Sequence, residues 1–544
     1  MVTYPKDGPS LLGKCFRAGA TLAILGVALT SCLGPTKVKS SSAPTTVVNG
    51  RTLSTTSSTS NIVVLPGPPS TTLTSSPSIA PPPLVALPNI TPGPPGTVLL
   101  SAFNANGSLI SWGNFRSIES NNTGSNGYDD ALLNPKTLEV EDLGPLYNQG
   151  IGVSAALDVT GYESLSLAWP SDLGYSNLIC DLPGAGQYNF DQVCSLSLLR
   201  DVSEILSEHK GMTLTLGQAS TFNSIASQLL KPAGGSFNQN QLQAAMDLDV
   251  SVTSDAGLYQ ISTVGLANNY RYGLTIDSPA IAITTLRSLK SIYPTGARVR
   301  LVIDPGTPLS RYQSIINFAH SLGISVMVEL VDSQYMASMN LANYEARVSQ
   351  IVTTLRNVDS YEIGNEVNGN WLGTNVAAKV AYAISFVRSH SSATTLLTLY
   401  WQLGEDTASN SIFNWFATNI TNSELSGVND IGISLYPQEA PMGTAFHRIL
   451  DTLHSQFAPG QRIFITELGY GGSGVTGSWW WGSPGVASDS QRAAVASLYQ
   501  DELAGFSFSG GGTFWWYFGE EYKSNLGLDS ALANFYQLSH PKAP

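Results

Sequence analysis

The chain has 544 residues, 12% of them charged and 42% hydrophobic, with 51 glycines and 22 tyrosines. That length exceeds one average domain and leaves room for two folded units, each with its own core, beside unstructured sequence. A net charge of −13 would repel phosphate backbones and excludes nucleic acid as a natural partner, and the sparse charge suits a globular protein exported from the cell.

Residues 1–31 have the three parts of an export signal: Lys6, Lys14 and Arg17 lead, an apolar run from Ala18 to Leu29 follows, and small residues come last. The run is too short to span a bilayer comfortably. It closes with Leu29-Thr30-Ser31-Cys32, which resembles the bacterial lipoprotein box. The resemblance implies lipidation of Cys32, a mature N-terminus at that residue, and attachment to the bacterial cell envelope outside the cytoplasm, the membrane being a partner through the lipid alone. An ordinary signal peptide with a chance cysteine is the alternative. From 32 to 96 serine, threonine and proline dominate, as in SSAPTTVVNG and TSSPSIAPPP. Without apolar periodicity to offset its ordering entropy, this stretch is expected to form a disordered stalk.

Residues 97–268 are expected to form a smaller, β-rich accessory domain. GVSAALDV, SLSLAW and YQISTV carry alternating or β-branched apolar residues between turn formers, and Leu198 to His209 reads as a helix. Its aromatics, Trp112, Trp169 and Tyr188, are expected in the core more than against a ligand. Cys180 and Cys194 stand fourteen positions apart; outside the cytoplasm a disulfide is expected between them, with two buried thiols as the alternative.

From 269 to 544 short apolar runs alternate with amphipathic helices. Strands are predicted at YGLTID, RVRLVIDP, ISVMVELVD, SYEIGNEV, LLTLYW, DIGISLYP, RIFITELGY and GTFWWYFG. Between them Tyr312, Ile315, Ile316, Ala319 and Leu322 repeat at helical spacing and stop at Gly323, a C-terminal cap. Leu341, Tyr344, Val348, Ile351, Val352 and Leu355 form another such stripe, as do Phe446, Ile449, Leu450, Leu453 and Phe457. Strands apolar on both faces require helices on both sides of a parallel sheet. Eight such units over this length give an α/β architecture, a (β/α)8 TIM barrel. The competing open sheet would carry a nucleotide-binding glycine loop after its first strand, and GxGxxG is absent there.

In this barrel the chemistry sits at the C-terminal ends of the strands. Glu366 ends the fourth strand in YEIGNEVNG, preceded by Asn365, and Glu467 ends the seventh in RIFITELGYG. Two carboxylates in one mouth are the minimum apparatus for cleaving a glycosidic bond, one protonating the departing oxygen while the other attacks or activates water. Tyr436 ends the sixth strand, Trp401 the fifth, Trp515 and Trp516 lie in the eighth, and Trp479-Trp480-Trp481 follows the seventh. Flat rings such as these can pack against sugar faces. Glu362, four residues before Glu366 and so lower in the barrel wall, and Asp304 are expected to be structural, whereas Glu329 and Asp332 sit in or near strands.

YEIGNEVNG and FITELGYG resemble the strand-four and strand-seven signatures of the clan of retaining glycoside hydrolases called the 4/7 superfamily (clan A). The resemblance covers about half the chain. It implies acid/base duty for Glu366, the nucleophile's role for Glu467, a hydrogen bond from Asn365 to the substrate 2-hydroxyl, a hold on the nucleophile by Tyr436, and a subsite wall at Trp515 or Trp516. Trp401 and Trp480 join these as expected carbohydrate contacts. The pattern departs from the clan in lacking a histidine at the mouth positions of strands three and six, and no strand-two arginine is evident, Arg311 lying just beyond. The expected activity is cleavage of β-glycosidic bonds in oligo- or polysaccharide through a covalent intermediate, by a monomer. A transglycosidase using the same site, or a catalytically silent glycan-binding lipoprotein, is the alternative.

Other chemistries lack their parts. The six histidines fall in predicted helices or the tail, and HExxH, GxSxG and GxxxxGK[ST] are absent. No metal or cofactor is expected.

Overall fold

The computed structural model describes residues 81–540 apart from 121–129, 151, 172–173, 232–236, 404–406, 438–439, 441, 471–488, 517 and 522–525. Cys32, the stalk up to residue 80 and Trp479 to Trp481 lie outside the described residues. Pro81–Pro544 belong to one compact unit.

Eight parallel strands close a barrel: β8 (Arg271–Ile276), β9 (Ala297–Val302), β10 (Ser325–Glu329), β11 (Ser360–Gly364), β12 (Thr394–Tyr400), β13 (Asp430–Leu435), β14 (Arg462–Leu468) and β15 (Ser509–Trp515), with β15 pairing back to β8. Each overlaps one predicted strand. Nearly every strand residue is buried, because one face meets the barrel interior and the other the surrounding helices.

Those helices form where the sequence repeats at helical spacing. Helix Leu309–Ser321 buries Tyr312, Ile315, Ile316 and Ala319. It stops in a Schellman motif, Gly323 N–H donating to His320 O (2.9 Å) and Ile324 N–H to Ala319 O (3.0 Å). Gly323 takes φ +71° there, the left-handed conformation that favours glycine. Helix Leu341–Thr354 buries Tyr344, Val348, Ile351 and Val352 and is capped by Asn340.

Inside the barrel, side chains at alternate strand positions stack in layers. Met327, Leu396, Phe464 and Phe514 form an apolar plug. Gly273 and Gly510 make room for it, since a Cβ on either would meet Phe514 or Phe464 at about 2 Å. On the same faces of β9, β11, β12 and β14 the next positions are Arg300, Glu362, Thr398 and Thr466, and the layer turns polar. The plug therefore serves as the floor of the site.

The preceding region has two small sheets. One runs β4 (Ala155–Val159), β1 (Gly96–Ser101), β7 (Gly186–Asn189); the other runs β3 (Val140–Leu143), β2 (Ala131–Leu133), β5 (Glu163–Ser171), β6 (Gly174–Leu182). Helices Phe190–Glu208, Leu216–Leu229 and Gln239–Thr263 accompany them. The first begins eight residues before its predicted start, where Asn189 caps it through Gln192 N–H. YQISTV, read above as a strand, instead closes the helix Gln239–Thr263. That helix packs so tightly on Asp489–Ala504 that a Cβ on Gly257 would meet Asp501 O at 1.7 Å, and this tertiary contact overrides the local β preference of Ile261 and Thr263.

Trp169 is fully buried, its ring 5.1 Å from Phe115 and 4.8 Å from Phe190. Trp112 and Tyr188 are half-buried against the same core. The Sγ atoms of Cys180 on β6 and Cys194 on the first long helix are 2.05 Å apart, a disulfide joining sheet to helix.

This region seats on the helices that follow strands β12, β13 and β14. Asn414 exchanges two hydrogen bonds with the backbone of Val140 (2.7 and 2.9 Å). Arg448 pairs with Asp181 (2.9 Å), and His447 lies between Asp201 (2.7 Å) and Glu208 (3.1 Å).

Candidate active site

Strand β11 ends at Gly364, and the chain turns so that Glu366 adopts φ +52°. A left-handed glutamate costs of order 1–2 kcal/mol and persists only where its surroundings over-determine it. They do so here. Val367 N–H donates to Thr398 O (3.1 Å) and Gly369 N–H to Glu366 O (2.8 Å). Asn368 binds Tyr400 through both its amide atoms, at 2.9 and 2.7 Å, and reaches Asn410 O at 2.8 Å. The loop is thereby sewn to the next strand, with Glu366 only 3% exposed.

Both oxygens of Glu366 accept from serines: Ser333 Oγ–H to Oε2 (2.6 Å) and Ser434 Oγ–H to Oε1 (2.8 Å). Ser434 Oγ also stands 3.3 Å from Oε2 of Glu467, which accepts from the Tyr436 hydroxyl at 2.6 Å. Oε1 of Glu467 pairs with Arg300 Nη2 at 2.8 Å. The two carboxylates thus meet across the barrel mouth. Because one hydroxyl oxygen touches both, their nearest oxygens are no more than about 6 Å apart, within the span over which a pair of carboxyl groups can work on one bond.

Beneath them Arg300 binds three buried carboxylates. Besides Glu467, its Nη2 lies 3.0 Å from Glu329 Oε2 and its Nε 2.6 Å from Glu362 Oε2. Thr398 donates to Glu362 as well. Burial raises the carboxyl of Glu329 well above its usual range despite the attraction of Arg300, and burial raises that of Glu362 for the same reason. Burial alone would lower the guanidinium of Arg300, but Glu329, Glu362 and Glu467 together hold it well above its ordinary value. Arg300 is therefore a fixed cation at the base of the site. The structural role expected of Glu362 follows from this ion pair.

Asn365 is fully buried and donates from Nδ2 to Glu329 Oε1 (3.1 Å); its Oδ1 has no hydrogen-bond partner among the described residues. The expected aromatic contacts divide. Tyr436 lies at the mouth on Glu467. Trp516 joins it there, its ring centroid 5.1 Å from the Arg300 guanidinium carbon. Gly469 separates the two, and a Cβ at that position would meet Tyr436 at 3.1 Å and Trp516 at 3.9 Å.

Trp515 does not line the mouth. It is 0% exposed in the core between strands and helices, because alternation along β15 sends it to the face opposite its neighbours Phe514 and Trp516. Trp401, 2% exposed, is packed into the same core, so its ring is not offered to a ligand.

Sequence reasoning missed Arg300, Ser333 and Ser434. Arg300 is a second-strand arginine after all, in RVRLVIDP, and its signal was a pair of alternating charges, Arg298 and Arg300, in a strand otherwise apolar. Ser434 stands two residues before Tyr436 and so shares its face. Ser333 opens the short helix Ser333–Met336 after β10 and had no periodic signal. Among the described residues no group of His, Cys, Asp or Glu has the arrangement of a metal site.

The sequence matches no family model and no curated protein. Its structure is similar to a GH113 β-mannanase from Alicyclobacillus acidocaldarius, with 14% identity, 49% of this chain and 98% of that chain covered, and a TM-score of 0.35. It is similar to a fungal β-1,4-galactanase structure at 15% identity, covering 49% of this chain and 99% of the other with a TM-score of 0.35. For xylanase 10B from Thermotoga maritima the figures are 14%, 49%, 94% and 0.34.

Proposed function

We propose that this protein is a retaining glycoside hydrolase that cleaves β-glycosidic bonds in oligo- or polysaccharide, with Glu366 as general acid/base and Glu467 as nucleophile. The observation that carries this reading is the Ser434 hydroxyl within reach of both carboxylates, at 2.8 and 3.3 Å. A hydroxyl shared at those distances brings the two carboxylates close together, which supports the spacing of about 5–5.5 Å used for double displacement over the roughly 6.5–9.5 Å that admits a water for single inversion.

Glu467, oriented by Arg300 at Oε1 and by Tyr436 at Oε2, attacks the anomeric carbon while Glu366 gives its proton to the departing glycosidic oxygen. A glycosyl ester forms on Glu467. Glu366, now a carboxylate, takes a proton from the water that attacks the same carbon, the ester bond breaks, and Glu366 recovers its acid form. Two inversions leave the configuration unchanged. Asn365 contributes its buried Oδ1 as an acceptor for a sugar hydroxyl, and Trp516 walls the reacting subsite.

The wild type and the Glu366→Gln and Glu467→Gln variants should be screened on a glycan panel, with the anomeric form of the first product followed by proton NMR. Retention is expected, with each variant losing about 10³-fold or more in kcat. A 2-fluoro glycoside should label the peptide containing Glu467. An inverted first product, or full turnover by either variant, would remove the assignment. Binding without any turnover by the wild type would make the protein a glycan-binding module.

We also infer, from Leu29-Thr30-Ser31-Cys32, that a lipid on Cys32 tethers the protein to the cell envelope. Membrane partitioning should be lost in Cys32→Ala, and its persistence would count against the tether.

A further inference from the structure

Ser434 Oγ lies 2.8 Å from Glu366 Oε1 and 3.3 Å from Glu467 Oε2, and the residue is fully buried. A serine hydroxyl has one proton to donate and lone pairs with which to accept. Between two carboxylates it can donate to only one at a time. When Glu366 is protonated and Glu467 ionised, Ser434 can satisfy both at once, accepting from the Glu366 acid and donating to the Glu467 carboxylate. When both are ionised it can serve only one, and when both are protonated its donor has no anion to meet. Ser333 differs, for it reaches Glu366 alone, at Oε2 (2.6 Å).

We propose that Ser434 is a positioning residue that stabilises the singly protonated state of the Glu366–Glu467 pair, its hydroxyl pointing to Glu467 in the resting enzyme and turning to Glu366 once that proton has gone to the leaving group. The assignment rests on the reading of these glutamates given above. Ser434 keeps its own proton throughout; only the rotation about Cβ–Oγ changes, so no bond to carbon is made or broken at this residue. After glycosylation Glu467 is a neutral ester while Glu366 is an anion, and the turn of the Ser434 hydroxyl follows the charge.

Among the described residues the charged and titratable groups facing the pair are Arg300 from β9, Glu329 from β10, Glu362 from β11 and Tyr436 at the end of β13. All remain when Ser434 is changed, so they form a constant background. Removing the hydroxyl costs the singly protonated state two hydrogen bonds, one of them to an anion, the doubly ionised state one, and the doubly protonated state only bonds to neutral groups. The pH range over which the pair holds one proton must then shrink from both sides.

The experiment is the pH profile of kcat/KM for wild type, Ser434→Ala, Ser434→Thr and Ser333→Ala, all with unchanged circular dichroism. In Ser434→Ala the acid limb should move up and the alkaline limb down, each by about one pH unit, a tenfold change in proton concentration, which is what one hydrogen bond to a charged group supplies. Ser434→Thr, which keeps the hydroxyl, should restore the width. Ser333→Ala should move the alkaline limb alone. A profile that only drops in height, or one limb moving in Ser434→Ala, would overturn the proposal.

The same interval can be read without turnover from the carboxyl 13C resonances of glutamate-labelled protein, assigned through Glu366→Gln and Glu467→Gln. Narrowing of the two ionisation steps in Ser434→Ala is expected there too. An unchanged interval refutes the role of Ser434 whatever the enzyme's activity, whereas narrowing in a protein that turns over no glycoside refutes the hydrolase reading and leaves the coupling standing.

Discussion

The Nη2 atom of Arg300 on the second barrel strand stands 2.8 Å from Oε1 of Glu467 on the seventh, while the same guanidinium also holds Glu329 and Glu362. One cation thus positions the carboxylate of Glu467 and offsets two further buried carboxyls. Arg300→Lys keeps a charge but loses the planar fork that reaches several oxygens at once. It should fold, and its kcat should fall by about 10²-fold, in the range for removal of a preorganised electrostatic contact. Arg300→Met strands the carboxyls and should lose roughly 3–5 kcal/mol of stability. Urea unfolding at pH 5 and pH 8 checks this, with the larger loss at pH 8, where the stranded groups would have to ionise.

Tyr436 donates to Glu467 at 2.6 Å. Tyr436→Phe removes a bond to a charged acceptor, a contribution of about 1.5–3 kcal/mol. The expected result is a fall in kcat of about 10- to 100-fold, with the melting temperature nearly unchanged because the residue is half-buried at the mouth. An equal fall in stability and activity would show that the ring, not the hydroxyl, is what matters.

Stability should decline as pH rises. Burial, joined by the Asp201 carboxylate, raises Asp249 well above the usual range, and burial raises Asp191 and Asp501 from 3.8 to about 7. Burial alone would lower the imidazolium of His447, but Asp201 and Glu208 hold it well above 6.5. Each of these groups binds its proton more tightly in the folded chain than in the unfolded one. Their contribution is complete below the unfolded value and is lost as pH climbs to the folded one: from about 4 to 7 for Asp191 and Asp501, and from about 6.5 upward for His447. Differential scanning calorimetry should show a fall on the order of 5–10 °C between pH 5 and pH 9. Asp249→Asn should flatten the decline, and an unaltered slope in that variant would remove the carboxyl from the account.

The disulfide of Cys180 and Cys194 closes a segment of 14 residues. Replacing both cysteines by alanine should cost about 3 kcal/mol, seen as a lower urea midpoint. Because the bridge lies in the accessory core, kcat at low temperature should stay within about twofold.

The barrel was legible because its strands must be apolar on both faces and its helices on one. YEIGNEVNG and RIFITELGYG could be placed at strand ends for the same reason. Other parts required knowledge of partners. The helix Gln239–Thr263 buries Asp249, Thr253 and Gly257 with its leucines, so no continuous apolar stripe marks it. Arg300 could be counted in the sequence, but that it faces inward onto Glu467 depends on the register of two strands on opposite sides of the barrel. Trp515 and Trp516 are adjacent in a run of aromatics, where period-two alternation cannot say which points to the mouth until the strand is fixed.

The clasp between the N-terminal helices and the helices behind β13 and β14 bears on how the protein can be handled. Its contacts include Gly257 pressed to Asp501 and His209 bonded to Gly505 O at 2.8 Å. A fragment starting at residue 269 would bare a flank that is buried in the whole chain, next to the strands that carry Tyr436 and Glu467. The two halves are consequently a single manufacturing unit: any expression vector, domain graft or truncation library should cut ahead of residue 81 and leave everything after it joined.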